Sequence, residues 1–172
     1  MLETLKGYLM KRRFLPVIAV FSLGLFGCQN LKNASIPPTN IDTKKHSVHL
    51  AVNGPLMRGF DFNKNLTDVN AEFIREAKTK SVYKMYSISD IHPAMYKVSE
   101  GGNELTVEIW AFDSEGLVSV LRKEPEGLCI GKIELSNGEV VLGVLGEEII
   151  CNGMKEITEY GGWREYMTQF KR

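Results

Sequence analysis

What most restricts the fold of this 172-residue chain is a succession of short apolar runs, separated by turn residues, between positions 48 and 145. Val82 to Ile88 alternates and is rich in aromatic residues, and Leu105 to Phe112 alternates in the same way. A period of two sends successive side chains to opposite faces of a strand. Leu128–Leu135 and Val140–Leu145 flank Asn137-Gly138, the dipeptide best suited to a tight hairpin turn. Val48–Val52 is a further strand and stops at Asn53-Gly54-Pro55. Met95–Val98 reads as a brief strand whose hairpin loop is Ser99–Asn103 and whose partner is Leu105–Phe112. Helical signals are fewer. Ala71, Ile74, Ala77 and Lys78 predict a short helix within Asn70–Lys80. Ser114 can cap a helix through Leu117, Val118, Val120 and Leu121, ended by Pro125. A last helix starts at Ile157 or Thr158 and runs through Tyr166 and Phe170. Several antiparallel pairs with few helices predict an α+β fold: a small, curved, mostly antiparallel sheet or barrel-like core.

The amino terminus reads differently. Lys11, Arg12 and Arg13 precede an apolar run of 14 residues, Phe14–Gly27, too short for the roughly 20 helical residues that span a bilayer. A basic head followed by such a run is a secretory signal. It ends Leu25-Phe26-Gly27-Cys28, which resembles the lipobox of bacterial lipoproteins. That resemblance implies cleavage before Cys28 and a diacylglyceryl thioether on its sulfur. Met10 also begins a clean signal, so translation can start at Met1 or Met10. Gln29 to Lys45 has four Asn or Gln, two Pro and no period, as expected of a flexible tether. The expected organisation is a signal at 1–27, a tether at 28–46 and one domain at 47–172. Gln29 after the cysteine, in place of Asp, points to the periplasmic face of the outer membrane.

Charge and cysteine usage exclude several classes. The chain carries 21 Lys+Arg against 21 Asp+Glu. Without Lys6, Lys11, Arg12, Arg13 and Glu3 it has 17 basic and 20 acidic residues, a net −3. A nucleic-acid-binding surface needs basic excess, so no nucleic-acid partner is expected. Membrane attachment would come from acyl chains on Cys28. Three cysteines are too few for a disulfide scaffold, and Cys129 and Cys151 sit in apolar contexts that favour buried free thiols. Isolated histidines without paired cysteine spacing predict no metal site, and no cofactor is expected.

Three segments carry a family resemblance. Asn53-Gly54-Pro55-Leu56-Met57-Arg58-Gly59 resembles the strand-to-loop motif of the γ-glutamylcyclotransferase-like fold, usually Tyr-Gly-Ser-Leu. Glu124-Pro125-Glu126-Gly127 sits where that fold carries its acidic residue. Ile157-Thr158-Glu159-Tyr160-Gly161-Gly162-Trp163-Arg164-Glu165-Tyr166, the most specific of the three, is similar to the signature of the allophanate hydrolase C-terminal domain. The resemblance covers about Ser47 to Gln169. It implies a small-molecule ligand, a loop whose backbone holds a carboxylate, and a carboxylate base for the substrate's amine. In allophanate hydrolase it implies a link to decarboxylation of a carboxyurea made by an amidase. The present 172 residues hold no Ser-Ser pair for an amidase triad, so hydrolysis by that route is not expected.

On this basis Glu124 is the first candidate base and Glu126 the neighbour that takes the role if the match shifts by two. His92, in the loop before a strand, can enter the cavity as an acid or base near neutral pH. Glu108 can face the cavity or, by strand alternation, solvent. Asn53, Gly54, Leu56, Met57, Arg58 and Gly59 form the candidate substrate loop, with Arg58 as a cation for an anionic substrate. Pro55 removes one loop N–H, and the loop can equally be a plain glycine-bearing turn. Trp163 and Tyr166 are expected to pack the core. A binding module that keeps the fold without chemistry is the alternative to an enzyme.

Overall fold

The computed structural model describes residues 48–170. Within them lie eight strands in two sheets. The larger has the order β2-β5-β1-β7-β6, built from β1 Val48–Val52, β2 Glu72–Lys78, β5 Thr106–Phe112, β6 Leu128–Glu134 and β7 Val140–Gly146. The smaller has the order β4-β3-β8, from β3 Tyr83–Ile88, β4 His92–Lys97 and β8 Lys155–Glu156. Pairing is antiparallel except between β1 and β7. The fold is α+β and mostly antiparallel, as expected, and the described strands close no barrel.

β5 shows why the larger sheet is central. All seven of its residues are buried. Val107 and Ile109 face a core shared with Ala51, Met85, Met95, Ile133 and Trp163, which lies between the two sheets. Trp110 and Phe112 face a second core with Leu50, Val52, Met57, Leu66 and Val120. That core lies under the short helix α1 (Lys64–Thr67) and under α2 (Ser114–Leu121). A sheet covered on both faces is apolar on both sets of alternate positions, which explains the near-continuous hydrophobicity of β5. Trp163 and Tyr166 are fully buried, as the sequence predicts.

Four local expectations are corrected. The helix expected over Asn70–Lys80 is strand β2, which pairs with the outer edge of β5. Its side chains alternate, with Phe73, Arg75 and Ala77 half-buried and Glu72, Ile74, Glu76 and Lys78 exposed. The edge of β5 carries backbone donors and acceptors that need partners, and this outweighs the i, i+3 spacing of Ala71 and Ile74. The strand expected at Met95–Val98 starts at His92 and pairs with β3, not with β5. Ser89 and Asp90 both take positive φ, 53° and 56°, a tight turn made without the usual glycine. Ser99–Asn103 therefore crosses from one sheet to the other. The cap of α2 is Asp113, whose Oδ1 accepts from the Gly116 amide at 2.7 Å, one residue before the expected Ser114. The final helix is broken. A turn at Thr158–Tyr160 ends at left-handed Gly161, and α3 spans only Trp163–Met167.

Candidate functional site

The loop after β1 folds back on itself, with the Met57 amide donating to the Gly54 carbonyl at 2.9 Å. Gly54 lies against Pro93 at the start of β4. A Cβ on Gly54 would fall 2.7 Å from the Pro93 ring, so only glycine lets the two segments touch. Asn53 is buried beneath them, and its Nδ2 donates to the Val144 carbonyl at 3.2 Å and to Met95 Sδ at 3.5 Å. One side chain thus ties β1 to β7 and β4. After α2, a tightened turn carries the chain round, with the Glu124 amide donating to the Leu121 carbonyl at 3.2 Å. Pro125 prevents continuation.

These segments enclose a cleft. Asn53, Gly54, Leu56, His92, Pro93 and Glu124 wall its inner recess, about 20 Å³ in volume. The recess shares Pro55, Leu56, His92 and Glu124 with a vestibule of about 280 Å³, which Phe62, Ile91, Lys123 and Pro125 also line. Glu124 also borders a third hollow, against Leu128, Cys129 and Ile130. Burial among these apolar walls pushes the Glu124 carboxyl up to about 7. Among the described residues it has no ion-pair partner. Such a group gains or loses a proton near neutral pH. His92 Nδ1 lies 3.3 Å from the Pro93 carbonyl.

The structure brings Glu124 and His92 together with Asn53, Gly54 and Leu56, and leaves the other candidates elsewhere. Glu126 is exposed and outside the cleft walls. Met57 is sealed in the core. Gly59 is exposed, with φ of 85°. Arg58 turns from the cleft to Glu108 and places its guanidinium 3.4 Å from the centre of the Phe73 ring.

Glu108 is neither in solvent nor in the cleft. It is 0% exposed and accepts four hydrogen bonds: from the Arg58 amide at 3.0 Å, Arg58 Nε at 3.1 Å, Arg164 Nη2 at 3.0 Å and Trp110 Nε1 at 3.2 Å. A buried carboxylate so enclosed is a structural anchor. Cys129 is exposed, contrary to expectation, because β6 is an edge strand; Cys151 is buried, and burial pushes its thiol up to about 11. No three His, Cys, Asp or Glu side chains among the described residues group as a metal site. Sequence reasoning missed Phe62, Ile91 and Lys123 on the cleft wall. Phe62 comes from a single 3-10 turn and Ile91 and Lys123 from turns, segments too short to carry a periodic signal. Cys28 lies outside the described residues.

Fold and cleft together define a small α+β domain of two mostly antiparallel sheets, with a cleft where the loop after β1 meets the start of β4. Residues 48–168 match the allophanate hydrolase C-terminal domain, and the chain belongs to that family. A uropathogenic E. coli-specific protein of solved structure, c4763, is 46% identical with a TM-score of 0.70, over 72% of this chain and 98% of that one. Kluyveromyces lactis allophanate hydrolase is 28% identical with a TM-score of 0.68, over 72% of this chain but 21% of that one. The urea amidolyase of Lachancea kluyveri is 32% identical over 133 residues, 73% of this chain. The chain spans about 7% of the length of that relative and of its Saccharomyces cerevisiae counterpart.

Proposed function

We propose that this domain is an enzyme acting on a small carboxylated amide or γ-glutamyl compound, with Glu124 as its general base. The observation that carries the reading is the position of Glu124: a carboxyl raised to about 7 by burial, on one wall with the Asn53–Leu56 loop and His92. On a γ-glutamyl substrate the α-amine attacks the side-chain carbonyl carbon and Glu124 takes the proton the amine loses. The carbon–nitrogen bond to the leaving amine breaks, the proton passes to that amine, and a cyclic lactam remains. The amides of Gly54 and Leu56 are the loop donors for the substrate carboxylate, since Pro55 has none and Arg58 is committed to Glu108. The proposal extends to location. Cys28 carries the acyl chains, residues 1–27 are removed, and the tether holds the domain on the periplasmic face of the outer membrane.

The test offers γ-glutamyl dipeptides and carboxyurea-type compounds to the full-length chain and to Glu124→Gln. The expected loss is about 10²–10⁴-fold with unchanged thermal stability or a gain at alkaline pH. Activity that survives the substitution would move the role to His92. A binding module without chemistry is the second reading, favoured by the commitment of Arg58, the loop's own cation, to Glu108. Binding of these compounds without turnover would establish it.

A further inference from the structure

We propose that the ligand of this cleft is an amphiphile, with a small polar head at Glu124 and an apolar body between Phe62 and Ile91, rather than a small molecule polar throughout. The inference rests on the cleft being the ligand site and names the class of ligand it takes.

The two compartments differ in size and chemistry. The inner recess, about 20 Å³, holds about one water or one small polar group. Asn53, His92 and Glu124 border it beside Leu56, Pro93, Leu128 and Val144. The vestibule, about 280 Å³, is walled by Pro55, Leu56, Phe62, Ile91 and Pro125. Phe62 is 47% and Ile91 63% exposed. They come from unrelated turns, one before α1 and one between β3 and β4, yet they border the same hollow. Apolar side chains that converge on a concavity with a few polar groups mark a ligand surface. A wholly polar compound of carboxyurea size would sit at Glu124 and leave this wall wet. Lys123 supplies a cation to the same hollow, with its Nζ 3.4 Å from Asn65 Oδ1. A carboxyl, an apolar wall and a cation thus border one hollow. A γ-glutamyl amino acid with a large apolar side chain and a free carboxylate has a group for each of the three, with only one polar group of its head in the recess and the rest in the vestibule beside Glu124.

The test titrates full-length Glu124→Gln, in which turnover is slowed, with γ-glutamylglycine, γ-glutamylleucine and γ-glutamylphenylalanine by calorimetry. The leucine and phenylalanine compounds are expected to bind about tenfold to a hundredfold more tightly than the glycine compound, the worth of one buried apolar side chain. Adding Phe62→Ala or Ile91→Ala should shrink that ratio below about threefold. Equal affinity across the series, a ratio that survives both substitutions, or no binding of the two apolar compounds would overturn the proposal. So would self-association that Ile91→Ala abolishes, which would give the rim to a second copy of the chain. Turnover by the parent chain without tail preference would sink this inference and keep Glu124 as base. Tail-dependent binding by a chain that turns over nothing would do the reverse.

Discussion

Replacing Glu108 by Gln tests whether this residue is an anchor. The substitution keeps shape and volume but removes the charge, and it turns an –NH2 toward donors that now face an acceptor. The Arg58 amide and Trp110 Nε1 both point at Oε2, and Arg58 Nε and Arg164 Nη2 both point at Oε1. An amide accepts at one site only, so two of four donors lose their partner. Removing one partner of a buried charge pair costs about 3–5 kcal/mol. Here the arginine side chains are 48% and 35% exposed and can turn to water, which lowers the expected loss to about 2–3 kcal/mol. For a domain of this size the midpoint of thermal unfolding should fall by about 6–12 °C. Urea unfolding followed by Trp fluorescence should give the same loss with an unchanged slope. Arg164→Met removes the Glu108 contact and also the hydrogen bond to the Arg58 carbonyl, so the double substitution should cost less than the sum of the two single losses, by the one interaction they share. A loss below about 1 kcal/mol, or strict additivity with Arg164→Met, would refute the reasoning.

Four further outcomes follow. Gly54→Ala puts a Cβ 2.7 Å from the Pro93 ring; overpacking of this kind costs about 1–3 kcal/mol, and urea unfolding should show it. The hydroxyls of Ser87 and then Tyr166 hold the Asp90 carboxyl below its ordinary range, so its contribution is present above the unfolded carboxylate value and lost as pH falls through the folded one. Tyr166→Phe should cost about 1 kcal/mol at pH 7 and less at pH 2 in pH-dependent unfolding. Burial raises Glu124 from 4.5 to about 7, so its sign is opposite. The folded state binds the extra proton between those values, and stability falls as pH rises through them. Glu124→Gln should remove that decline and stabilise the chain at pH 8 by up to about 3 kcal/mol. Equal pH profiles for parent and variant would contradict it. Cys28→Ser should abolish incorporation of a clickable fatty acid in cells, while labelled protein of unchanged size would refute lipidation at that residue.

Much of the fold was legible where the chain states its own pairing. The β6–β7 hairpin announces itself by Asn137-Gly138, and β1, β3 and β5 by alternation or β-branched runs. The errors share a cause. β2 is defined by the edge of β5 it completes, and the start of β4 by a turn at Ser89 and Asp90 that is held, without glycine, by hydrogen bonds between Ser87 and Asp90. Neither fact lies within the segment itself. The candidate site divides in the same way. Gly54 and Glu124 stand at chain breaks that local sequence marks with glycine and proline. Glu108 sits in an alternating strand that reads as half-solvated, and only the approach of Arg58 and Arg164, 50 and 56 residues away in the chain, makes it an interior group.

The segment with the most specific family signature, Ile157–Tyr166, contributes no residue to the cleft walls, and its contacts explain what it does instead. Arg164 donates to the Arg58 carbonyl at 2.7 Å and to Glu108 at 3.0 Å, which fixes the far end of the Asn53–Gly59 loop. Two residues on, Tyr166 donates to Asp90 at 2.5 Å, fixing the turn that delivers Ile91 and His92. Thr158 accepts from the Met85 amide at 3.0 Å and registers the whole segment on β3. Loop and turn form opposite sides of the cleft, they belong to different sheets, and direct contact between them is as slight as Gly54 against Pro93. A rigid piece that grips both sets the width of the cleft better than either side can alone. The signature thus bears on the cleft only at one remove: its residues hold the loop and the turn that border Glu124.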